Sequence, residues 1–229
     1  MKIKEMNYQV RGMIIGLVTL LSSTPAAQAA IFDAAADFSA SDNPNSVWSY
    51  GWSETLGSAF HLYTDKGKDS FGNDVWYDSP HAQFVVHNGT GTVTSIWQVD
   101  QLGFGPGQNN TYSVIRWTAP STEIYTITAS FGAADNTTSD AHLQSNGNSL
   151  FQGDINGFGS AVQFSPTTIA INAGDTIDFT VGWGANGNIN SDNTSLSATI
   201  STVPIPANIW LFGSALLGLF GASRKRAVL

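Results

Sequence analysis

Ile124-Tyr125-Thr126-Ile127-Thr128-Ala129-Ser130-Phe131 alternates with a period of two. Tyr125, Ile127, Ala129 and Phe131 fall on one side; Ile124, Thr126, Thr128 and Ser130 fall on the other. Successive side chains of a strand point to opposite faces, so this stretch predicts a strand with one buried face. The pattern recurs downstream. Ile177, Phe179 and Val181 alternate with Thr176, Asp178 and Thr180, and Leu196, Ala198 and Ile200 alternate with Ser195, Ser197 and Thr199. One polar face per strand is the mark of antiparallel sheets packed on one side. Further strands are expected at 47–52, 59–63, 83–87, 92–99, 113–118, 142–144, 149–152 and 168–171. Asn146-Gly147 reads as a tight hairpin turn between two of them. Pro120, Gly132, Gly174-Asp175 and the polar stretch 184–193 punctuate the rest. The expected fold is all-β: a jelly-roll-like β-sandwich over 30–202, one domain with no tandem repeat.

Charge narrows the function classes. Between 30 and 202 the bases are Lys66, Lys68 and Arg116 against sixteen acids, a net charge of −13. Such a surface repels nucleic acid and anionic lipid, so nucleic-acid binding is excluded. The chain has no cysteine, so no disulfide staples the domain. His61, His81, His87 and His142 are scattered without ligand spacing, which argues against zinc. No Gly-x-Ser-x-Gly and no phosphate loop is present. The expectation is a non-enzyme. A glycan-cleaving pair built on Glu54 is the weaker alternative.

Both ends read as addresses. Lys2, Lys4 and Arg11, the apolar run 13–21 and the small residues Ala27 and Ala29 predict a signal peptide over 1–29, cut by a signal peptidase. At the other end, Val203 to Ser223 spans 21 residues, roughly 30 Å as a helix, with no charge from Ile209 to Ala222. Arg224, Lys225 and Arg226 follow and favour the cytoplasmic side. A single transmembrane helix over 203–229 is expected. Val203, Pro204, Pro206 and Ala207, then Trp210 to Gly213 and Ser214, then the basic stop, resemble the PEP-CTERM sorting tail of exosortase substrates. Ile205 stands where that motif has its signature Glu, which makes this the Val-Pro-x-Pro-Ala variant. The resemblance implies an exosortase-like membrane protease as partner, cleavage near the prolines, and delivery to the cell surface or outside.

Two sets of residues are candidates for ligand chemistry. Trp48, Tyr50 and Trp52 fall two apart, so on a strand their rings share a face. They form either a stacking platform for sugar rings or a plug between two sheets. Trp76 and Tyr77, beside Asp74 and Asp78, read as exposed loop aromatics with the same use. Asp65, Asp69, Asp74 and Asp78 lie on a glycine-containing loop over 64–80 and either offer hard oxygens for calcium, although without EF-hand spacing, or simply form a solvated acidic loop. No other cofactor is expected. From Arg116 to Ile200 the succession Arg-Trp-Thr-Ala-Pro, Tyr-Thr-Ile-Thr-Ala, Asn-Gly and Ala-Gly-Asp-Thr-Ile-Asp-Phe-Thr-Val-Gly resembles the jelly-roll modules of secreted bacterial surface proteins. Those modules are similar in outline to carbohydrate-binding and galactose-binding-like sandwiches. The sequence therefore points to an exported protein that binds extracellular polysaccharide. The alternatives are a structural matrix component without small ligand and, third, a glycan-active enzyme.

Overall fold

Two antiparallel sheets face each other in the computed structural model, which describes residues 28–79 and 81–204. Ala30–Val203 forms one compact unit. The alternating stretch becomes the middle of β9 (Glu123–Ala133), with Tyr125, Ile127, Ala129 and Phe131 buried. The larger sheet has eight strands. Its order is β12 (Ala161–Ile171), β9, β14 (Thr194–Thr202), β7 (Leu102–Gly105), β6 (Phe84–His87), β5 (Asp74–Tyr77) and β4 (Asp65–Lys68). Short β1 (Ile31–Asp33) shares an edge of β14 with β7: β7 pairs with Thr194 to Leu196, and β1 with Thr199 to Ser201. The smaller sheet has six strands. Its order is β11 (Asn148–Asp154), β10 (Asp140–Ser145), β13 (Thr176–Gly182), β8 (Tyr112–Thr118), β2 (Trp48–Ser53) and β3 (His61–Leu62).

The core fills the space between the sheets with aromatic rings. Trp48 pairs with Trp117 across β2 and β8, and Tyr50 with Ile115, all turned inward and at most 1% exposed. Trp117 meets Tyr125 of the opposite sheet edge-on, with centroids 5.0 Å apart. Phe131 meets Phe179 across the same gap at 6.4 Å. Each such ring removes enough apolar surface from water to contribute about 2–3 kcal/mol. The Asn146-Gly147 hairpin is present as expected. Ser145 pairs with Asn148, and both turn residues have positive φ, 48° and 76°, as a type I′ turn requires.

Three departures from the sequence expectation surround the candidate site. The stretch 64–80, expected as a loop, contains the β4–β5 hairpin. Asp65-Lys66-Gly67-Lys68 has no apolar residue and is exposed along its length, so it shows no alternation. It closes one edge of the sheet with charge, which discourages pairing with another chain. The stretch 92–99, expected as a strand, is a loop. The buried Asn88 amide donates to the carbonyls of Thr92, Trp97 and Gln98, which curls the chain instead of extending it. The third departure is β7, where Gly103 and Gly105 hide a strand whose other face, Leu102 and Phe104, is fully buried.

Candidate functional site

The glycines of β7 explain the candidate site, because it lies on the outer face of the larger sheet above them. Alternation sends Trp76, Val85, Leu102 and Phe104 inward, all 5% exposed or less. It sends Val75, Tyr77, Phe84 and Val86 outward. Cross-strand pairing aligns Val75, Val86 and Gly103 in one row, and Tyr77, Phe84 and Gly105 in the next. With no Cβ beneath them, rings can lie flat on the backbone. A Cβ on Gly103 would stand 2.1 Å from Trp97 Cζ3, and one on Gly105 would stand 2.6 Å from Phe84 Cε1. Tyr77 Cε1 lies 4.0 Å from the same position on Gly67 of β4.

These rings floor a cleft of about 440 Å³, within the usual range for small-molecule sites. Its apolar surfaces are Val75, Tyr77, Phe84, Val86 and Trp97, and Asp69, Asp78, Ser79 and Asn193 make its polar rim. The rim is braced from behind. Asp69 Oδ1 accepts from the N–H groups of Phe71 and Asn73, and Asp69 Oδ2 accepts from Asn73 Nδ2. Asn73 Oδ1 in turn accepts from Thr94 Oγ1 at 2.7 Å, tying the hairpin tip to the loop that carries Trp97. Asn193 Nδ2 donates to Asp135 Oδ2 at 2.8 Å. Asp78 holds the turn after β5 through its backbone, while its Oδ2 lies 3.3 Å from His81 Nδ1. Among the described residues its Oδ1 accepts no hydrogen bond.

Trp48 and Tyr50 take the second of their two expected roles, the plug: both are buried between the sheets, and Trp48 Nε1 donates to Asp37. Burial also pushes the Tyr50 hydroxyl far up from its ordinary pKa. The other sequence-predicted residues sort differently. Trp52 is half-buried, sandwiched between His61 at 4.7 Å and His81 at 5.2 Å. Trp76 is not an exposed loop aromatic. It is 5% exposed in β5, and its Nε1 donates to Ser39 O. Tyr77 does reach the cleft.

The four aspartates do not gather into a calcium site. Asp65 lies on the exposed edge strand, Asp69 is bound into its own turn, and Asp74 pairs with Lys68 at 2.6 Å. Among the described residues no group of three or more His, Asp or Glu side chains is placed to hold a metal. In the expected tail, Val203 and Pro204 are exposed, and Val203 N donates to Ile124 O. Ala29 is half-buried. Ala27, Pro206, Ala207, Trp210, Gly213, Arg224, Lys225 and Arg226 lie outside the described residues. Among the described residues no helix is long and apolar enough to cross a membrane.

The outer face of the smaller sheet is polar too. Arg116 forks onto Asp178 through Nε at 2.6 Å and Nη2 at 2.8 Å, and lies over the Phe60 ring. His142, 3% exposed, bonds Asp140 Oδ2 through Nε2 at 2.6 Å. Burial pushes the Asp140 carboxyl up, but the bonds from His142 and Gly184 N outweigh it and hold the group below the usual carboxylate range. These groups brace the sheet.

Sequence reasoning missed Phe84 and Trp97. The available signal was Leu102-Gly103-Phe104-Gly105, where glycine at every second position means that something packs closely on that face.

No protein-family model matches the chain, and no curated protein matches it in sequence. Among solved structures, one similar chain is the family 51 carbohydrate-binding module from Clostridium perfringens GH95 in complex with methyl-galactose. It is 15% identical with a TM-score of 0.36, over 76% of this chain and 100% of that one. Another is a family 35 carbohydrate-binding module from Clostridium thermocellum, 15% identical with a TM-score of 0.26, over 40% and 69%. A third is the CBM36-1 domain of a multidomain xylanase from the hindgut metagenome of Trinervitermes trinervoides, 10% identical with a TM-score of 0.29, over 69% and 98%. At such identities, ligand chemistry has to be read from this chain's own residues.

Proposed function

We propose that the Ala30–Val203 unit is a non-catalytic, jelly-roll-like module that binds extracellular polysaccharide in the cleft of the larger sheet. The observation that supports this most is the pairing of an aromatic floor, Tyr77, Phe84 and Trp97, with the polar rim of Asp78, Ser79 and Asn193. A sugar ring has a flat apolar CH face and an edge of hydroxyls. The face stacks on aromatics and the edge donates to carboxylate and amide oxygens, so the ligand class matches both halves of the cleft. Asp69 braces the rim through three hydrogen bonds from Phe71 and Asn73.

The route to the ligand belongs to the same proposal. The 1–29 segment exports the chain, and the 203–229 segment holds it at the membrane until an exosortase-like protease acts near Pro204 to Ala207. A net charge of −13 over 30–202 suits a soluble surface or matrix protein. Pull-down on insoluble polysaccharides and an oligosaccharide array should retain the wild-type protein and lose Tyr77→Ala. Equal retention of both proteins sinks the cleft as the binding site. Mass spectrometry of the secreted form should find its C-terminus near Pro204 to Ala207, and a mature protein still ending at Leu229 sinks the sorting proposal.

A further inference from the structure

The cleft carries charge of one sign. Two carboxylates, Asp69 and Asp78, stand on its rim, and among the described residues no Lys, Arg or His lines it. The three cations of the domain are engaged elsewhere. Lys68 binds Asp74 and the carbonyl of Gly72, Lys66 donates to Ser41 O over the Trp76 ring, and Arg116 is forked onto Asp178 on the other sheet. The two carboxylates are not equivalent. Asp69 takes three hydrogen bonds from Phe71 and Asn73, whereas among the described residues Asp78 Oδ1 takes none. The Asp78 side chain is only 20% exposed, so water screens it poorly and a charged ligand group nearby feels it strongly.

We propose that the cleft selects saccharides carrying ammonium groups, such as a partly deacetylated amino-sugar polymer, over uronic-acid polymers, with Asp78 as the selecting residue. This rests on the saccharide reading of the cleft. An ammonium group on the sugar edge meets a carboxylate with a vacant oxygen. A uronate carboxyl would have to pack against Asp78 among lining residues that carry no cation, with only the His81 ring 3.3 Å from the other Asp78 oxygen, inside a domain already at −13.

The test is calorimetry on the purified protein at physiological salt with three oligomers of equal length: glucosamine, N-acetylglucosamine and galacturonic acid. Glucosamine oligomers should bind about tenfold more tightly than the N-acetylated ones, and galacturonic acid oligomers should bind more weakly than either. Asp78→Asn should erase that preference, bringing the glucosamine and N-acetylated oligomers to within about twofold of each other, and an unchanged urea midpoint reports an intact fold. Glu123→Gln, the same charge change at an exposed position on β9, should leave the preference in place. Uronate binding equal to glucosamine binding, a preference that survives Asp78→Asn, or equal loss in Glu123→Gln would overturn the inference. Should N-acetylated oligomers bind the wild type and not Tyr77→Ala, the saccharide reading stands even as the charge preference falls. Binding of none of the three sinks both.

Discussion

The molecule holds two aromatic sets of similar composition with opposite surroundings. Trp48, Tyr50, Trp117 and Tyr125 are sealed between the sheets at 1% exposure or less. Tyr77, Phe84 and Trp97 lie on the outside of one sheet, on a backbone cleared of Cβ atoms by Gly103 and Gly105. What separates them is the residue opposite. An inner ring is packed on every side, while Tyr77 and Phe84 keep part of their surface open and Trp97, laid over Gly103, lines the cleft with the 4% it exposes. A ring packed on every side stabilises the fold; a ring with one open face remains available to a ligand.

Substitutions test that division directly. Trp48→Ala should cost about 3–5 kcal/mol in urea unfolding, since it empties a packed site and leaves Asp37 without the indole N–H. A cost below about 1 kcal/mol would mean the inner set does not carry the core. Gly103→Ala comes next, at about 1–3 kcal/mol, because the new methyl would collide with Trp97 at 2.1 Å. It should also weaken saccharide binding by displacing that ring, so stability and affinity fall together.

Tyr77→Ala should separate the two quantities. Its stability cost should stay within about 1 kcal/mol while saccharide affinity drops about thirtyfold, near 2 kcal/mol. Loss of both to the same degree would show that the outer set is only core turned outward.

The smallest effect is a pH dependence. His87, stacked on Phe38 at 4.9 Å, has its pKa lowered by burial, with Asp100 and Asp74 pulling it partly back. The unfolded chain therefore binds a proton more readily than the folded one, so stability falls as pH drops through about 6.5 toward 5. Asp140 behaves differently. Its lowered pKa contributes stability above about pH 4 that is lost only in stronger acid. His87→Gln should flatten the loss between pH 7 and 5 in urea midpoints and leave the lower limb in place. An unchanged upper limb would remove His87 from the account.

How much of this was legible in the sequence follows from what each stretch faces. β9 and β14 announce themselves because one face meets the core and the other meets water, β13 because its second face is polar although buried, and Asn146-Gly147 fixes its turn by φ alone. Two sites escaped for lack of contrast. β4 has water on both faces, and β7 has side chains on one face only, so neither alternates polar with apolar. Trp48-Ser49-Tyr50-Gly51-Trp52 alternates in the same way whether its rings face the core or solvent, because period two fixes a shared face without saying which. Tyr77, Asp69 and Asp78 were found by their chemistry but given the wrong neighbours. The partners that complete the cleft, Phe84 and Trp97, come from other strands and loops, and only pairing through β6 and β7 brings them together.

The most direct measurement is NMR of the indole N–H groups during titration with an oligosaccharide that the protein binds. The Trp97 resonance should move with saturation while Trp48 and Trp117 stay fixed. Shifts at Trp48 or Trp117 with Trp97 unmoved would contradict the division between a sealed inner set and a ligand-facing outer one.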